Sequence, residues 1–186
     1  FRSEVSPQSV TQECKKAEGL FAGRPVGVVD TPGLFDTKVG NLKTVEKIKN
    51  AIQHLPGFHA ILLVMQLSRM TEEEQEVAEW VAKIFNIEAQ RYTILLFTRA
   101  EDLKHPGDLK DFIENSPHLK GLAWKCGNRY IGFNNRATGE ERDRQVAELI
   151  RMIDAMVEQN RDAAQYTQPM LEKDKRTFFQ KFCTIL

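Results

Sequence analysis

The sequence is poor in cysteine and has no long apolar segment. Its three cysteines lie far apart among 186 residues, which argues against a disulfide framework and predicts a reducing, cytoplasmic location. The longest apolar stretch, residues 60–65, is far too short to span a bilayer. Basic and acidic residues both number 26, so no net positive charge is available to attract nucleic acid. The four histidines do not cluster with the cysteines, and no metal site of that type is predicted.

The chain also has no glycine followed by lysine. The phosphate-binding motif Gly-x-x-x-x-Gly-Lys-[Ser/Thr] is therefore absent from these residues. The sequence begins at Phe1 rather than at a methionine, and it shows no apolar signal core. We expect a fragment of a longer protein rather than a processed secretory protein.

The residues that are present predict one α/β domain. With 41% apolar and 28% charged residues, the composition is globular and the chain is long enough to bury a core. Short apolar runs predict strands at residues 24–30, 59–67, 92–98 and 129–133. Helical spacing of apolar residues predicts helices at 42–54, from Thr71 to about 85, and at 108–114, 117–124 and 139–160. This alternation predicts a doubly wound, mostly parallel sheet.

The polar C-terminal stretch is predicted to lie outside that domain. From about Arg161 the apolar pattern ends, and Pro169 is expected to break any helix. We therefore predict a domain of residues 1–160 followed by a helical or flexible extension of residues 161–186.

In a doubly wound sheet, ligands bind at the carboxyl ends of the strands. Asp30 ends the first predicted strand, and its carboxylate suits Mg²⁺ held through water. Gly33 follows, where a backbone N–H can approach a terminal phosphate without a side chain in the way. An ordinary turn is the alternative reading of Asp-x-x-Gly.

Two further strand ends carry groups that suit guanine. A carboxylate after the third predicted strand, where Glu101 and Asp102 lie, can accept hydrogen bonds from the ring N–H and the exocyclic amine of guanine. Asn134 and Asn135, after the fourth, can line the other edge of the base. The alternatives are that Glu101 and Asp102 only open a helix, and that the asparagines form a polar turn.

Together these segments resemble the immunity-associated GTPase (GIMAP) family, which is related to septins and to chloroplast import-receptor GTPases. The similarity extends over about residues 1–160 and includes a box at Leu67–Gln75 that is peculiar to the family. The matching segments are residues 6–14, 23–37, 67–75, 97–103 and 129–137. The resemblance implies a P-loop NTPase G domain that binds GTP or GDP with Mg²⁺ and dimerises across its nucleotides. Thr11 would be the switch threonine that meets Mg²⁺ and the terminal phosphate. Asp102 would read guanine, and Asn134 and Asn135 would flank it.

The chain departs from the G-domain pattern at several positions. Arg99-Ala-Glu-Asp102 stands where many G domains have Asn-Lys-x-Asp, so the lysine that packs on the base is missing, and Glu101 is an alternative carboxylate. Leu34 stands where small signalling GTPases carry the glutamine that orients water. Arg69, in the family box, is the candidate catalytic residue, acting on a partner's phosphate. Its alternative is a solvated side chain near neighbouring glutamates.

The missing phosphate loop and its strand are expected just ahead of residue 1, unless this copy is a degenerate relative. Two functions stay open at this point. One is a GTP-binding switch with slow hydrolysis that dimerisation activates, and the other is a non-catalytic interaction module. An unrelated enzyme is a third reading, but no Ser/His/Asp or Cys/His arrangement supports it.

The last four residues, Cys183-Thr-Ile-Leu186, fit a prenylation signal of the C-a-a-X type. Basic and aromatic residues just upstream would add a second membrane signal. We expect lipidation at Cys183, with membrane association, if Cys183 is truly C-terminal. The alternative is an internal, unmodified cysteine.

Overall fold

The computed structural model describes residues 14–31, 57–67, 87–105 and 107–174. The chain divides into two compact units, Phe1–Pro56 and Gly57–Leu186, and each is described by itself. The helices predicted at 42–54 and 71–85 lie outside the described residues, as do Thr11, Gly33, Arg69 and Cys183. The predicted boundary between a domain and an extension at residue 160 stays a prediction.

An antiparallel hairpin forms the described part of the first unit. Strands β1 (Lys15–Phe21) and β2 (Arg24–Asp30) pair from Phe21 opposite Arg24 to Lys15 opposite Asp30. The two-residue turn has positive φ at both positions, 49° at Ala22 and 78° at Gly23. Such turns match the twist of paired strands, which explains the short connection. The strand predicted at 24–30 is confirmed. An apolar run of this kind is typical of a buried strand, but the side chains of β2 are exposed or half-buried.

A parallel sheet forms the centre of the second unit. Its strands are β3 (Ile61–Gln66), β4 (Thr93–Thr98) and β5 (Tyr130–Phe133), hydrogen-bonded in that order. Alternate residues of β4 enter two separate cores, with Leu95 and Phe97 on one face and Ile94 and Leu96 on the other. The sheet is therefore covered on both sides, and the predicted α/β doubly wound arrangement is confirmed.

Helices cover the two faces of this sheet. They are α1 (Ile87–Gln90), α2 (Asp108–Glu114), α3 (Pro117–Lys125) and α4 (Gly139–Gln159), with single 3₁₀ turns at Ala100–Asp102 and Arg161–Ala163. Helices α2 and α3 pack on the Leu95 face. Helix α4 packs on the Ile94 face through Leu149 and Met156. No helix among the described residues is long and apolar enough to cross a membrane.

Residues 160–174 of the second unit pack against the segments that precede β3 and β4, and they are called the C-terminal clasp. The prediction that Pro169 breaks any helix is wrong, because residues 168–174 are helical. Pro169 lies in the first turn, where the backbone N–H would have no intrahelical partner in any case. The backbones of Tyr166 and Phe58 exchange two hydrogen bonds of 2.9 and 2.8 Å.

The helical end of the clasp is fixed by a buried carboxylate. Asp174, 2% exposed, accepts hydrogen bonds from the backbone N–H groups of Glu88 (3.2 Å) and Ala89 (3.0 Å) and from the hydroxyl of Tyr166 (3.2 Å). The rings of Tyr166 and Tyr92 lie 5.7 Å apart. All these contacts are made near the amino ends of β3 and β4, away from the carboxyl ends of these strands.

Candidate functional site

The carboxyl ends of β4 and β5 lie side by side. The two strands are parallel, and Thr98 at the end of β4 is opposite Phe133 at the end of β5. The loops that follow, residues 99–103 and 134–138, therefore start from adjacent points on one edge of the sheet. They are called the first and second base loops below, after the sequence prediction.

The first base loop turns sharply as it leaves the sheet. Arg99 has φ 63° and ψ 35°, in the left-handed region, and the 3₁₀ turn Ala100–Asp102 follows at once. The Asp102 N–H donates to the Arg99 carbonyl at 3.0 Å. The Arg99 Nη2 and Asp102 Oδ2 atoms form an ion pair of 2.7 Å, and the Asp102 side chain is 38% exposed. The carboxylate is thus both held by a neighbour and accessible to solvent.

Glu101 points to the second base loop instead. Its Oε2 accepts a hydrogen bond from the Asn135 N–H at 3.2 Å. Its Oε1 lies 3.7 Å from Nε of Arg136, and the Glu101 side chain is only 14% exposed. Of the two adjacent carboxylates, Glu101 is therefore engaged in joining the loops, while Asp102 is the accessible one.

The two asparagines of the second base loop also differ. The Asn134 side chain is occupied within the loop region, since its Oδ1 accepts from the Arg136 N–H at 2.8 Å and its Nδ2 donates to Glu141 at 3.0 Å. Its backbone N–H donates to the Gln145 side chain at 2.6 Å. Asn135 is exposed, and within the described residues its side-chain amide makes no hydrogen bond. Asn134 shapes the loop, and Asn135 is the amide left available.

Close packing at Gly132 sets the distance between the loops. A Cβ atom at this position would lie 3.0 Å from the Ala100 Cβ and 3.4 Å from Cδ2 of Leu109. A larger residue in β5 would thus displace the 3₁₀ turn that carries Asp102. Sequence reasoning missed both Gly132 and the joining role of Glu101. A glycine inside a strand is the one signal that pointed to a close approach.

Asp30 belongs to the first unit and ends β2 opposite Lys15. It is half-buried, and its oxygen atoms are of the kind that Mg²⁺ prefers. The structure thus brings together Asp102, Asn134 and Asn135, whereas Asp30 lies in the separately described unit. Searching only the described residues, no group of three or more His, Cys, Asp or Glu side chains could hold a metal ion.

Comparison with known proteins agrees with this architecture. The model of the AIG1 family matches residues 1–182. The chain is 36% identical over 168 residues to human GTPase IMAP family member 8, covering 86% of this chain and 24% of that protein. It is 33% identical over 177 residues to immune-associated nucleotide-binding protein 8 of Arabidopsis thaliana, covering 91% of this chain and 50% of that protein. The chain therefore spans about a quarter to a half of the length of these relatives.

Solved structures with a similar fold include Toc33 from Arabidopsis thaliana. A dimerization-deficient mutant of Toc33 superposes with a TM-score of 0.60 at 19% identity, covering 83% of this chain and 73% of that one. Toc33 in complex with GDP and Mg²⁺ gives a TM-score of 0.59 with the same identity and coverage. At this identity the likeness shows the fold alone. The family match, in contrast, extends over nearly the whole sequence, and the chain belongs to the AIG1 family.

Proposed function

We propose that the chain is a guanine-nucleotide-binding G domain whose two base loops recognise the base. The observation that carries the proposal is the accessible Asp102 carboxylate, held by Arg99 beside the loop of Asn134 and Asn135. An ionised carboxylate is an acceptor only. It can take both the ring N–H and the exocyclic amine of guanine, whereas adenine does not present this pair of donors. Such a site rejects the wrong base because polar groups placed to hydrogen-bond guanine would be left unpaired.

The roles of the asparagines follow from their surroundings. The Asn135 amide is free to contact the other edge of the base. Asn134 acts by shaping the loop, because its side chain already bonds Arg136 and Glu141. The sequence predicted that both asparagines line the base, whereas in this proposal only Asn135 contacts it and Asn134 holds the loop in shape.

The phosphates and Mg²⁺ are proposed to be held from the first unit. Asp30 would orient the metal through water, Thr11 would supply a hydroxyl ligand, and Gly33 would offer a backbone N–H to the terminal phosphate. When bound, Mg²⁺ neutralises phosphate charge. The complex of Toc33 with GDP and Mg²⁺ supports this ligand pair for the fold.

Base recognition is tested by titrating the full-length protein with fluorescent GDP and ADP. Asp102→Asn should weaken GDP binding by roughly 10- to 100-fold, as expected for one unpaired polar group. The same variant should bind xanthosine diphosphate better than the wild type does, because the asparagine amide can donate to the 2-oxygen of xanthine. Asp143→Asn, an exposed carboxylate on α4 that pairs with Arg142, is the matched control. Equal wild-type affinities for GDP and ADP would refute the proposal.

Slow GTP hydrolysis in a dimer is the finer part of the proposal. Arg69 would act on the phosphate of the partner, since a cation placed against the transition state accelerates phosphoryl transfer. The Toc33 dimerization-deficient mutant supports dimer formation in this fold. Specific activity should rise with protein concentration, and Arg69→Ala should abolish the rise. A turnover per molecule that stays flat on dilution argues against it.

A non-catalytic interaction module is the second candidate function, favoured by Leu34 in place of a water-orienting glutamine. GDP binding without any turnover of GTP, alone or at high protein concentration, would identify it. A cytoplasmic location is proposed from the few, well-separated cysteines. Lipidation at Cys183 stays a prediction, which mass spectrometry of the protein from eukaryotic cells would test.

A further inference from the structure

We propose that Glu101 is a positioning residue that couples the two base loops and sets base affinity without touching the nucleotide. The inference rests on the proposed function, because it deepens the account of the same site. Its basis is the geometry of the loops, in which one carboxylate connects segments 34 residues apart in the sequence.

The connection between the loops depends on this one side chain. Glu101 accepts the Asn135 N–H at 3.2 Å and lies 3.7 Å from the Arg136 guanidinium. Within the described part of the chain, each side-chain hydrogen bond or ion pair that joins residues 99–103 to residues 134–138 involves Glu101. Ala100 also lies close to Gly132 of β5, which limits how near the first base loop can approach that strand.

The 3₁₀ turn explains why the carboxylates of Glu101 and Asp102 have different roles. Successive residues of a 3₁₀ helix point about 120° apart, because three residues complete a turn. Glu101 therefore faces the second base loop, 14% exposed, while Asp102 faces solvent beside Arg99. Because the two residues are neighbours on one short turn, fixing Glu101 against Asn135 also fixes the position of Asp102 relative to the Asn135 amide.

Loss of this contact should affect recognition more than folding. Asn135 is exposed, so its N–H can bond to water when Glu101 is removed, and little stability is lost. The base, however, needs Asp102 and Asn135 at a fixed separation, and a small displacement of one group weakens both contacts. The expected result is weaker guanine binding in a protein that is folded as before.

Three variants of the full-length protein separate the contributions. Glu101→Ala should weaken GDP binding about tenfold, the effect expected when the one hydrogen bond that positions the second base loop is lost. Glu101→Gln should stay within about threefold of the wild type, since its amide oxygen still accepts the Asn135 N–H. Arg136→Ala should weaken GDP binding less than Glu101→Ala does, because the Glu101–Arg136 ion pair is long and the arginine side chain is 82% exposed. Glu114→Ala, on the outside of α2, is the control for a lost surface carboxylate.

Base selectivity and amide exchange distinguish this role from a purely structural one. Glu101→Ala should reduce GDP affinity while leaving ADP affinity and the thermal midpoint unchanged, and amide exchange at 134–136 should accelerate without nucleotide. If the wild type prefers GDP and Asp102→Asn loses that preference, but Glu101→Ala binds GDP as tightly as the wild type, the inference is overturned and the proposed function stands. If the wild type shows no preference for GDP, the proposed function fails, whatever the exchange data show. Equal losses of GDP and ADP affinity together with a lower thermal midpoint would also overturn the inference.

Discussion

Removal of the Asp174 carboxylate should be among the most damaging single changes to the second unit. The C-terminal clasp is fixed there by three donors, the N–H groups of Glu88 and Ala89 and the Tyr166 hydroxyl. Ala89 is 0% exposed and Tyr166 is 2% exposed, so water does not readily replace the lost acceptor. In Asp174→Ala all three donors lose their partner.

The size of the effect follows from the number of donors. A buried group left without its hydrogen bond costs about 1–3 kcal/mol. The low end applies here, because removing the carboxylate also removes the cost of burying it, the same cost that raises the pKa of Asp174. Three donors then give about 3 kcal/mol, which lowers the melting temperature of a chain of this size by roughly 6–12 °C. Asp174→Asn keeps one acceptor and should cost about 1–2 kcal/mol.

Urea and thermal unfolding followed by circular dichroism measure these losses. Lys173→Ala is the matched control, since it truncates the adjacent side chain of the same helix. It removes the 2.6 Å ion pair between Lys173 Nζ and Glu88 Oε1. Such surface pairs contribute about 0–1 kcal/mol. If Asp174→Ala and Lys173→Ala unfold at the same urea concentration, the buried acceptor does not stabilise the clasp.

Three further predictions concern other parts of the structure. Gly132→Ala should lower stability by about 1–3 kcal/mol through overpacking and weaken GDP binding, because its Cβ would meet Ala100 at 3.0 Å; a melt and a titration check both. Burial raises the pKa of Asp174 in the folded state above its ordinary value of 3.8. At pH values between the unfolded-state pKa and the folded-state pKa, the folded state therefore binds more protons than the unfolded state. The free energy of unfolding should therefore fall as pH rises through that window, and Asp174→Asn should flatten the slope. Burial also raises the pKa of Cys126 to about 11, so this thiol should resist maleimide at pH 8 until urea unfolds the protein, as peptide mass mapping would show.

The sequence predicted the elements with clear periodicity and missed those that depend on tertiary contacts. The continuous apolar run of β4 and the short helices α2 and α3 matched the structure within a residue. Strand β1 was missed because its residues are mostly exposed and show no alternation of apolar and polar side chains. The helix at residues 168–174 was missed because Pro169 was read without its position, and a proline in a first turn does not break a helix.

The same limit applies to the candidate site. Strand ends located Asp102 and the two asparagines, because parallel strands place their carboxyl ends on one edge. Which carboxylate faces solvent depends on the 3₁₀ turn and on the left-handed Arg99, and neither is visible in the sequence. Likewise, the difference between Asn134 and Asn135 arises from hydrogen bonds to α4, which lies next in sequence but whose contacts a linear reading does not give.

The position of the C-terminal clasp has a mechanical consequence. Tension applied at residue 174 would act first on the Asp174 hydrogen bonds and then on the Phe58–Tyr166 bridge. These contacts lie at the amino ends of β3 and β4. Each strand has six residues, so the contacts are about 20 Å from the carboxyl ends where the base loops begin. Between them, β4 is buried on both faces. Force applied at residue 174 would therefore first break the hydrogen bonds of the C-terminal clasp. The base loops would keep their geometry until the clasp had detached.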